Sequence, residues 1–540
     1  MYNEELLHKK LRFALQKIDI DAKEDFIIIE AAKDKIHGDY ASNIAMKLAS
    51  KLKTNPRALA QQIIDSIDKE GLDKIEIAGP GFINFFMSNE ILSNVIDRVL
   101  NTNDSFGTGD KKTGKLINLE YVSANPTGDL HLGHARGAAI GDSLARILKK
   151  AGYSVIREYY VNDAGAQILH LGESLKARYF ELYDKKYDLP EDGYQGEDII
   201  EIAKQFKSKY GDKYLEESDE NIEIFKEFGM EKELDKLKND LNEFRVNFDV
   251  FSFETTIRQG NVLTNLANTM KDYIYKKDGA TYLATSKFVD DKDRVIIKSN
   301  GEATYFWPDI AYHLNKLSRK ATNLIDVLGA DHHGYINRMK SALMMNGYRE
   351  ESLEVELIQM VRIVKDGEEV KMSKRLGNAI KLRDLVQEVG IDAVRYFFVS
   401  RDAATHLDFD LELALSQSSS NPVFYAQYAY ARMNNVLSLS TIPLNDKYNL
   451  LIDETEFSLM KSLSEYDKIV QDAAKERAPY KICNYIQKLS GYVHEFYAKC
   501  RILDVNNVDL TGARLSLIKA CSIVIKNALE LIGVSAPEKM

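Results

Sequence analysis

The chain has 540 residues, a formal net charge of −10, 45% hydrophobic residues and only 9 prolines. That length predicts three or four domains with real cores, and the scarcity of proline, with no Pro/Gly/Ser-rich stretch, predicts domains packed together rather than tethered. The acidic balance excludes a body-wide polyanion binder, so any RNA partner would have to be met by local basic surfaces.

The opening segment MYNEELLHKKLRFALQKI is amphipathic and charged, without a signal-peptide core, and no apolar run reaches membrane-spanning length; a cytoplasmic protein with no membrane association is expected. Residues 1–112 read as an N-terminal α+β domain. Asn55-Pro56 is a helix start, with Asn55 as cap and Pro56 at the first helical position. Ile75–Ala78 and Phe82–Phe86 alternate like strands around Gly79-Pro80-Gly81.

Residues 113–405 change to an α/β texture. Leu116–Val122 predicts a buried strand, about 135–150 a helix stopped at Gly152, and Ser154–Val161 the next strand, which together make a βαβ unit of a Rossmann-like parallel sheet. Further strands are expected around 324–328 and over 354–364. The range from about 170 to 290 reads as a largely helical insertion. Residues 406–540 read as an all-α helical bundle starting near Asn421-Pro422. It holds Cys483, Cys500 and Cys521, an odd number of widely spaced cysteines that predicts buried free thiols in a reducing compartment. Its aromatic run, Phe424, Tyr425, Tyr428 and Tyr430 with Arg432, fits a core stripe better than an RNA platform.

Two short strings carry chemistry. His131-Leu132-Gly133-His134 falls where the first strand has ended and the helix begins. A helix N-terminus offers free N–H groups and a positive dipole end, which attract phosphate. Two imidazoles one turn apart can both donate to phosphate oxygens, and Gly133 leaves room for a flat base to approach the backbone. Lys371-Met372-Ser373-Lys374 follows the Asp366-Gly367 turn, where two ammonium groups could neutralise charge as pyrophosphate leaves. Gly329-Ala330-Asp331-His332-His333-Gly334 closes another expected strand, where sites of open α/β sheets form. Each string alone is weak. A small-molecule nucleotidyltransferase could share the first, and His313, His332 and His333 could suggest a metal hydrolase, although no four-ligand zinc spacing exists.

Together and in this order, HLGH and KMSK resemble the signatures of class I aminoacyl-tRNA synthetases, with Arg375 standing where a second serine is usual. The resemblance narrows to the arginyl-tRNA synthetase family on Glu120–Gly128 leading into HLGH, Tyr160–Ile168, Gly329–Tyr335, Gly533–Glu538, and the N-terminal strings Gly38–Asn43 and Gly79–Asn84. It implies ATP-dependent formation of arginyl-adenylate and transfer to the terminal ribose of tRNA(Arg), with ATP as a substrate accompanied by Mg²⁺ and no structural metal. In that pattern His131, His134, Lys371 and Lys374 are catalytic. Gly133, Gly329, Asp331, Met372 and Ser373 bind ATP, with Asp331 on the ribose. Glu120, Asn125, Tyr305, Asp309 and His332 bind arginine, with Tyr305 and Asp309 on the guanidinium. The N-terminal domain, through Phe82 and Asn84, reads the tRNA D-loop, and the C-terminal bundle binds the anticodon. The expected state is a monomer. The chemistry agrees, since a guanidinium asks for a carboxylate that a planar fork can reach.

Overall fold

The computed structural model describes residues 3–23, 26–32, 35–109, 112–216, 221–369 and 380–540. Its centre is a five-stranded parallel sheet in the spatial order Leu353–Ile358, Asn323–Gly329, Leu116–Glu120, Ser154–Val161, Val250–Phe253. Chain order reverses between Leu116–Glu120 and Asn323–Gly329, so a crevice opens at their carboxyl ends, where ligands of doubly wound sheets bind. Ile117, Leu119, Leu324 and Ile325 are buried there, as expected for strands covered on both faces.

The helix Leu132–Lys150 crosses back over the sheet. It starts three residues earlier than the apolar pattern predicted, because His131 itself caps it: the His131 side chain accepts from the Gly133 N–H. Its small residues, Ala135, Ala138, Ala139 and Ala145, are buried and let it lie close to the strands. At Gly141 an added Cβ would meet the Tyr121 Cβ at 2.6 Å.

Two expectations change in detail. The stretch 354–364 is two strands: Leu353–Ile358 joins the main sheet, while Val361–Lys365 pairs with Glu368–Glu369 and Leu407–Asp410 in a separate small sheet. Continuous β-favouring residues hid the break at Gln359-Met360. The range 170–290 is helical over Glu197–Tyr210 and Ile222–Glu243, yet it also supplies the edge strand Val250–Phe253 and the hairpin Ile274–Lys277 with Ala280–Leu283.

The N-terminal α+β region holds an antiparallel sheet ordered Glu30–Ala31, Tyr40–Ser42, Phe82–Met87, Leu72–Ala78. Asn55 caps Pro56–Ser66 by accepting from the Arg57 and Ala58 N–H groups. The expected all-α range 406–540 opens instead with the strand Leu407–Asp410 of the small sheet; beyond it the region is helical, with long helices Pro422–Leu439, Glu454–Lys475, Tyr480–Lys499 and Val508–Leu531, and its three cysteines are buried free thiols.

The regions are bolted together. Arg98 pairs with Asp467 at 2.8 Å and Tyr448 Oη donates to Asp97 at 2.6 Å, joining the N-terminal region to the bundle. Arg395, fully buried, donates to Asp142 at 2.6 Å, to the Phe244 carbonyl and to the Ile532 carbonyl. One guanidinium thus ties the first helix of the core, the C-terminal end of the helix Ile222–Glu243 and the last helix. No helix among the described residues is long and apolar enough to cross a membrane.

Candidate active site

A cavity of about 920 Å³ occupies the crevice at the reversal point, lined from both halves of the sheet by Glu120, His131, Gly133, His134, Tyr305, Asp309, Gly329, Asp331 and His332 among others. The chain leaves the first strand through a strained turn: Val122 has φ 69° and Ser123 φ 40°. A β-branched residue in the left-handed region is costly, about 1–3 kcal/mol by general experience. The turn is held because Ser123 Oγ donates to Glu120 at 2.8 Å and accepts from the Tyr160 N–H. It aims Glu120, Val122 and Ser123 together at the cavity.

At one end lie the histidines. Their rings stack with centroids 3.7 Å apart. Because His131 Nδ1 accepts from the Gly133 N–H at 3.1 Å, the proton of the neutral ring sits on Nε2, leaving a donor to offer. His134 Nδ1 is buried without a partner. Burial, then the neighbouring His131, lowers the His134 pKa to about 4, and burial lowers that of His131. Both rings are therefore neutral donors, and an anion at the helix N-terminus would satisfy what is unpaired. Gly133 and Gly137 line the same wall. At Gly133 a Cβ would come within 3.1 Å of the His131 ring, whereas at Gly137 it would project into open space. Opposite, Gly329 ends its strand, and Asp331 and His332 are exposed on the turn beyond it, Nε2 to Oδ2 being 3.7 Å.

The other end is buried and charged. Asp309, Tyr312, His313 and Lys316 share one face of the helix Phe306–Ser318. Burial, with Glu120 and Glu254 nearby, raises the Asp309 pKa to about 6, while His313 and a 3.3 Å hydrogen bond from Tyr335 oppose the rise. Tyr305 precedes that helix and is 75% exposed at the cavity mouth.

Three expected site residues differ from expectation. Glu120 is not a free carboxylate: it is ion-paired to the buried Lys316 and accepts from Tyr312 Oη at 2.8 Å. Asn125 is exposed, donates to Gln167 at 2.6 Å and is not among the residues lining the cavity. In the N-terminal sheet Phe82 is exposed, but Asn84 is buried; the two share a face of the strand, and Asn84 lies mid-strand between Ala41 and Glu76, whereas Phe82 is the strand's first residue and pairs only with Ala78. Lys371, Met372, Ser373, Lys374 and Arg375 lie outside the described residues. Just beyond them, Lys381 is ion-paired with Asp129, and the Leu382 N–H donates to the Leu130 carbonyl at 2.7 Å. The residues before His131 and those after the lysine motif are thus joined.

Sequence reasoning missed Arg136. It is buried and donates to the carbonyls of Gln359, Thr405 and Asp402 at 2.8–2.9 Å, holding the Gln359-Met360 break against the first helix, where both residues line the cavity. An arginine amid small buried residues was the available signal, since its donors must find acceptors. It also missed Lys316, Asp326 and Tyr335. The rival histidine metal cluster does not form: His313 is buried against Asp326 while His332 is exposed, and no group of three potential ligands is found among the described residues.

A doubly wound sheet, a histidine pair on its first helix and a cavity shared with the fourth strand define a class I aminoacyl-tRNA synthetase core, and the family model "tRNA synthetases class I (R), catalytic domain" matches residues 95–435. Models of the "Arginyl tRNA synthetase N terminal domain" and the "DALR anticodon binding domain" match residues 5–87 and 426–540. The chain belongs to the arginyl-tRNA synthetase family. It is 48% identical to the arginine–tRNA ligase of Geobacillus thermodenitrificans, covering 99% of both chains. It resembles the solved structure of a Campylobacter jejuni protein described as an arginyl-tRNA synthetase, with 36% identity, a TM-score of 0.77, and coverage of 84% of this chain and 100% of that one. The Thermus thermophilus arginyl-tRNA synthetase, 20% identical with full coverage of both chains and a TM-score of 0.78, shares the fold.

Proposed function

We propose that this enzyme ligates L-arginine to tRNA(Arg) in two steps. In the first, the arginine carboxylate attacks the α-phosphate of ATP and pyrophosphate leaves. In the second, the terminal ribose of the tRNA takes the arginyl group. The observation that carries this reading is a single cavity whose one end offers neutral donors at a helix N-terminus while the other offers a half-buried carboxylate to a cation.

His131 and His134 donate to the ATP phosphates, and Gly133 gives the nucleotide close approach. Gly329 and Asp331 hold the ribose. Mg²⁺ arrives with the nucleotide, Met372 and Ser373 bind the ATP, and Lys371 and Lys374 neutralise the departing pyrophosphate. Asp309 takes the guanidinium, with Tyr305 closing over it from the mouth, Glu120 fixed alongside, and His332 toward the α-amino end. No covalent enzyme intermediate is required; positioning and electrostatic stabilisation suffice.

Residues 1–112 meet the tRNA D-loop through Phe82, and Asn84 acts by supporting that strand from within. Residues 406–540 take the anticodon. Phe424 stacks on Tyr428 and Tyr428 on His494, with ring centroids 6.0 and 5.8 Å apart, and Tyr428 is exposed, an arrangement suited to base stacking. The enzyme acts as a cytoplasmic monomer. Arginine-dependent ATP–pyrophosphate exchange, with and without tRNA, against lysine and citrulline, tests the reading. Arginine alone should support exchange, and exchange with lysine but not arginine would overturn it.

A further inference from the structure

Glu120 and Asp326 are direct neighbours on adjacent parallel strands, both buried on the side facing the helix Phe306–Ser318. Two carboxylates so placed cannot both stay ionised without a cation between them. Lys316, fully buried, supplies it: its ammonium is ion-paired to Glu120 and lies 2.9 Å from Asp326 Oδ1. The other Asp326 oxygen meets His313 Nε2 at 2.8 Å, and His313 Nδ1 meets the backbone carbonyl of Asp309 at 2.8 Å. A carbonyl only accepts, so Nδ1 carries a proton. A carboxylate accepts as well, so Nε2 carries one too, and the ring is an imidazolium. The groups around it agree: burial opposes the charge, but Asp326 and Glu120 outweigh Lys316 and raise the His313 pKa.

The charges of the floor can then be followed group by group. Glu120, Asp326 and Asp309 are negative, and Lys316 and His313 are positive. The surrounding Glu254 is paired with Arg258, and Glu158 with Arg319. Tyr312 and Tyr335 are neutral, burial raising both hydroxyls well above the usual tyrosine value. The floor is one positive charge short. We propose that Lys316, Asp326 and His313 are positioning residues that select the substrate by charge. They hold Glu120 fixed and already neutralised and leave Asp309 as the one carboxylate awaiting a cation. The compact ammonium site between the strands is filled by the protein's own Lys316, so the remaining vacancy suits a guanidinium reaching Asp309. This inference rests on the arginine reading above and goes beyond it by assigning selection to three residues that need not touch the substrate.

The test is arginine binding to the full chain by calorimetry in buffers of differing ionisation enthalpy, which counts protons exchanged, together with the pH profile of exchange kinetics. The wild type should release almost no proton at pH 7.5. In Lys316→Met one of the facing carboxylates should pick up a proton in the empty site and surrender it on binding, so release should approach one proton. The KM for arginine should rise roughly thirtyfold or more, as when one partner of a buried charge pair is removed, with kcat changed far less. Should Lys316→Met fail to fold, the isosteric Asp326→Asn keeps the test open: His313 loses its acid partner, burial and Lys316 should then hold the ring neutral, and the pH profile of the arginine KM should change accordingly. Wild-type proton counts and pH profiles in both variants, with affinity merely lower, would make these residues structural and overturn the proposal. Absence of arginine-dependent exchange in the wild type would instead overturn the functional reading itself.

Discussion

The two ends of the cavity solve opposite problems. The histidine end is neutral and under-satisfied, with His134 Nδ1 buried and unpaired and both imidazole pKa values depressed. Beyond the cap by which His131 Nδ1 accepts from the Gly133 N–H, it makes little internal pairing, so its imidazole N–H donors are free for an anion. The Asp309 end is densely bonded through Tyr335, His313, Asp326, Lys316 and Glu120, yet it is still one cation short. The difference teaches that a site for a mobile polyanion can be left open at a helix terminus. A site for a buried cation must be assembled in advance, because an unpaired buried carboxylate is destabilising unless its neighbours are fixed.

The largest expected effect falls on the buried end. Asp309→Asn should lower kcat/KM for arginine by about 3–5 kcal/mol, on the order of 10³-fold, the cost of removing one partner of a buried charged pair. The same change should not lower the melting temperature at pH 7.5. The Asp309 pKa is raised to about 6 from the ordinary carboxylate value, so the folded protein holds an extra proton between about pH 4 and 6 and loses stability as pH rises through that window. At pH 7.5 the burial cost is fully present, and the amide relieves it. A variant that both loses arginine and melts earlier would show Asp309 to be a fold element rather than a recognition group.

At the open end, His134→Ala should reduce kcat by roughly 10²–10³-fold, the loss typical of one donor to a developing oxyanion, while the dissociation constant for arginine measured without ATP stays unchanged. A parallel loss of arginine affinity would mean that the ends are not separable. The pH dependence sharpens the same contrast. Arginine binding requires ionised Asp309, so its dissociation constant should rise about tenfold per pH unit below about 6, and Asp309→Asn should abolish that slope. His134 stays neutral until about pH 4 and should contribute no slope above pH 5.

The contrast also explains what the amino-acid sequence made legible. The open end is local: His131, Gly133 and His134 lie within four residues, and the strand and helix flanking them follow from hydrophobic period and from Gly152. The buried end comes from segments nearly two hundred residues apart, Glu120 with Asp309–Lys316, and its logic depends on the register that puts Glu120 beside Asp326. Asp309 and Tyr305 were reached by family resemblance. Lys316 looked like an ordinary helix lysine, because nothing in its neighbourhood reveals that its face of the helix points at two carboxylates. Asn84 failed for a related reason: strand alternation says that Phe82 and Asn84 share a face, but only the packed sheet shows how deep each sits. Arg136 stands out among small residues, but its role was not legible because its partners are backbone carbonyls, which carry no sequence identity.

The smallest effect is expected at Gly137, where the two ends share a wall. Its Cβ position faces open cavity, and it lies inside the helix Leu132–Lys150 without a left-handed backbone, so nothing in the fold demands glycine. Gly137→Ala should therefore stabilise the protein by about 0.5–1 kcal/mol, the ordinary helix-interior gain, visible as a small rise in melting temperature. The added methyl group would intrude where the nucleotide approaches the helix, so the KM for ATP should rise a few-fold while the KM for arginine holds. If ATP is unaffected, the nucleotide does not pass along this face, and the glycine there serves neither end. If arginine is the substrate affected, the amino acid reaches further along the helix than the Asp309 pocket requires, and the boundary between the open and buried ends would have to be redrawn one helical turn deeper.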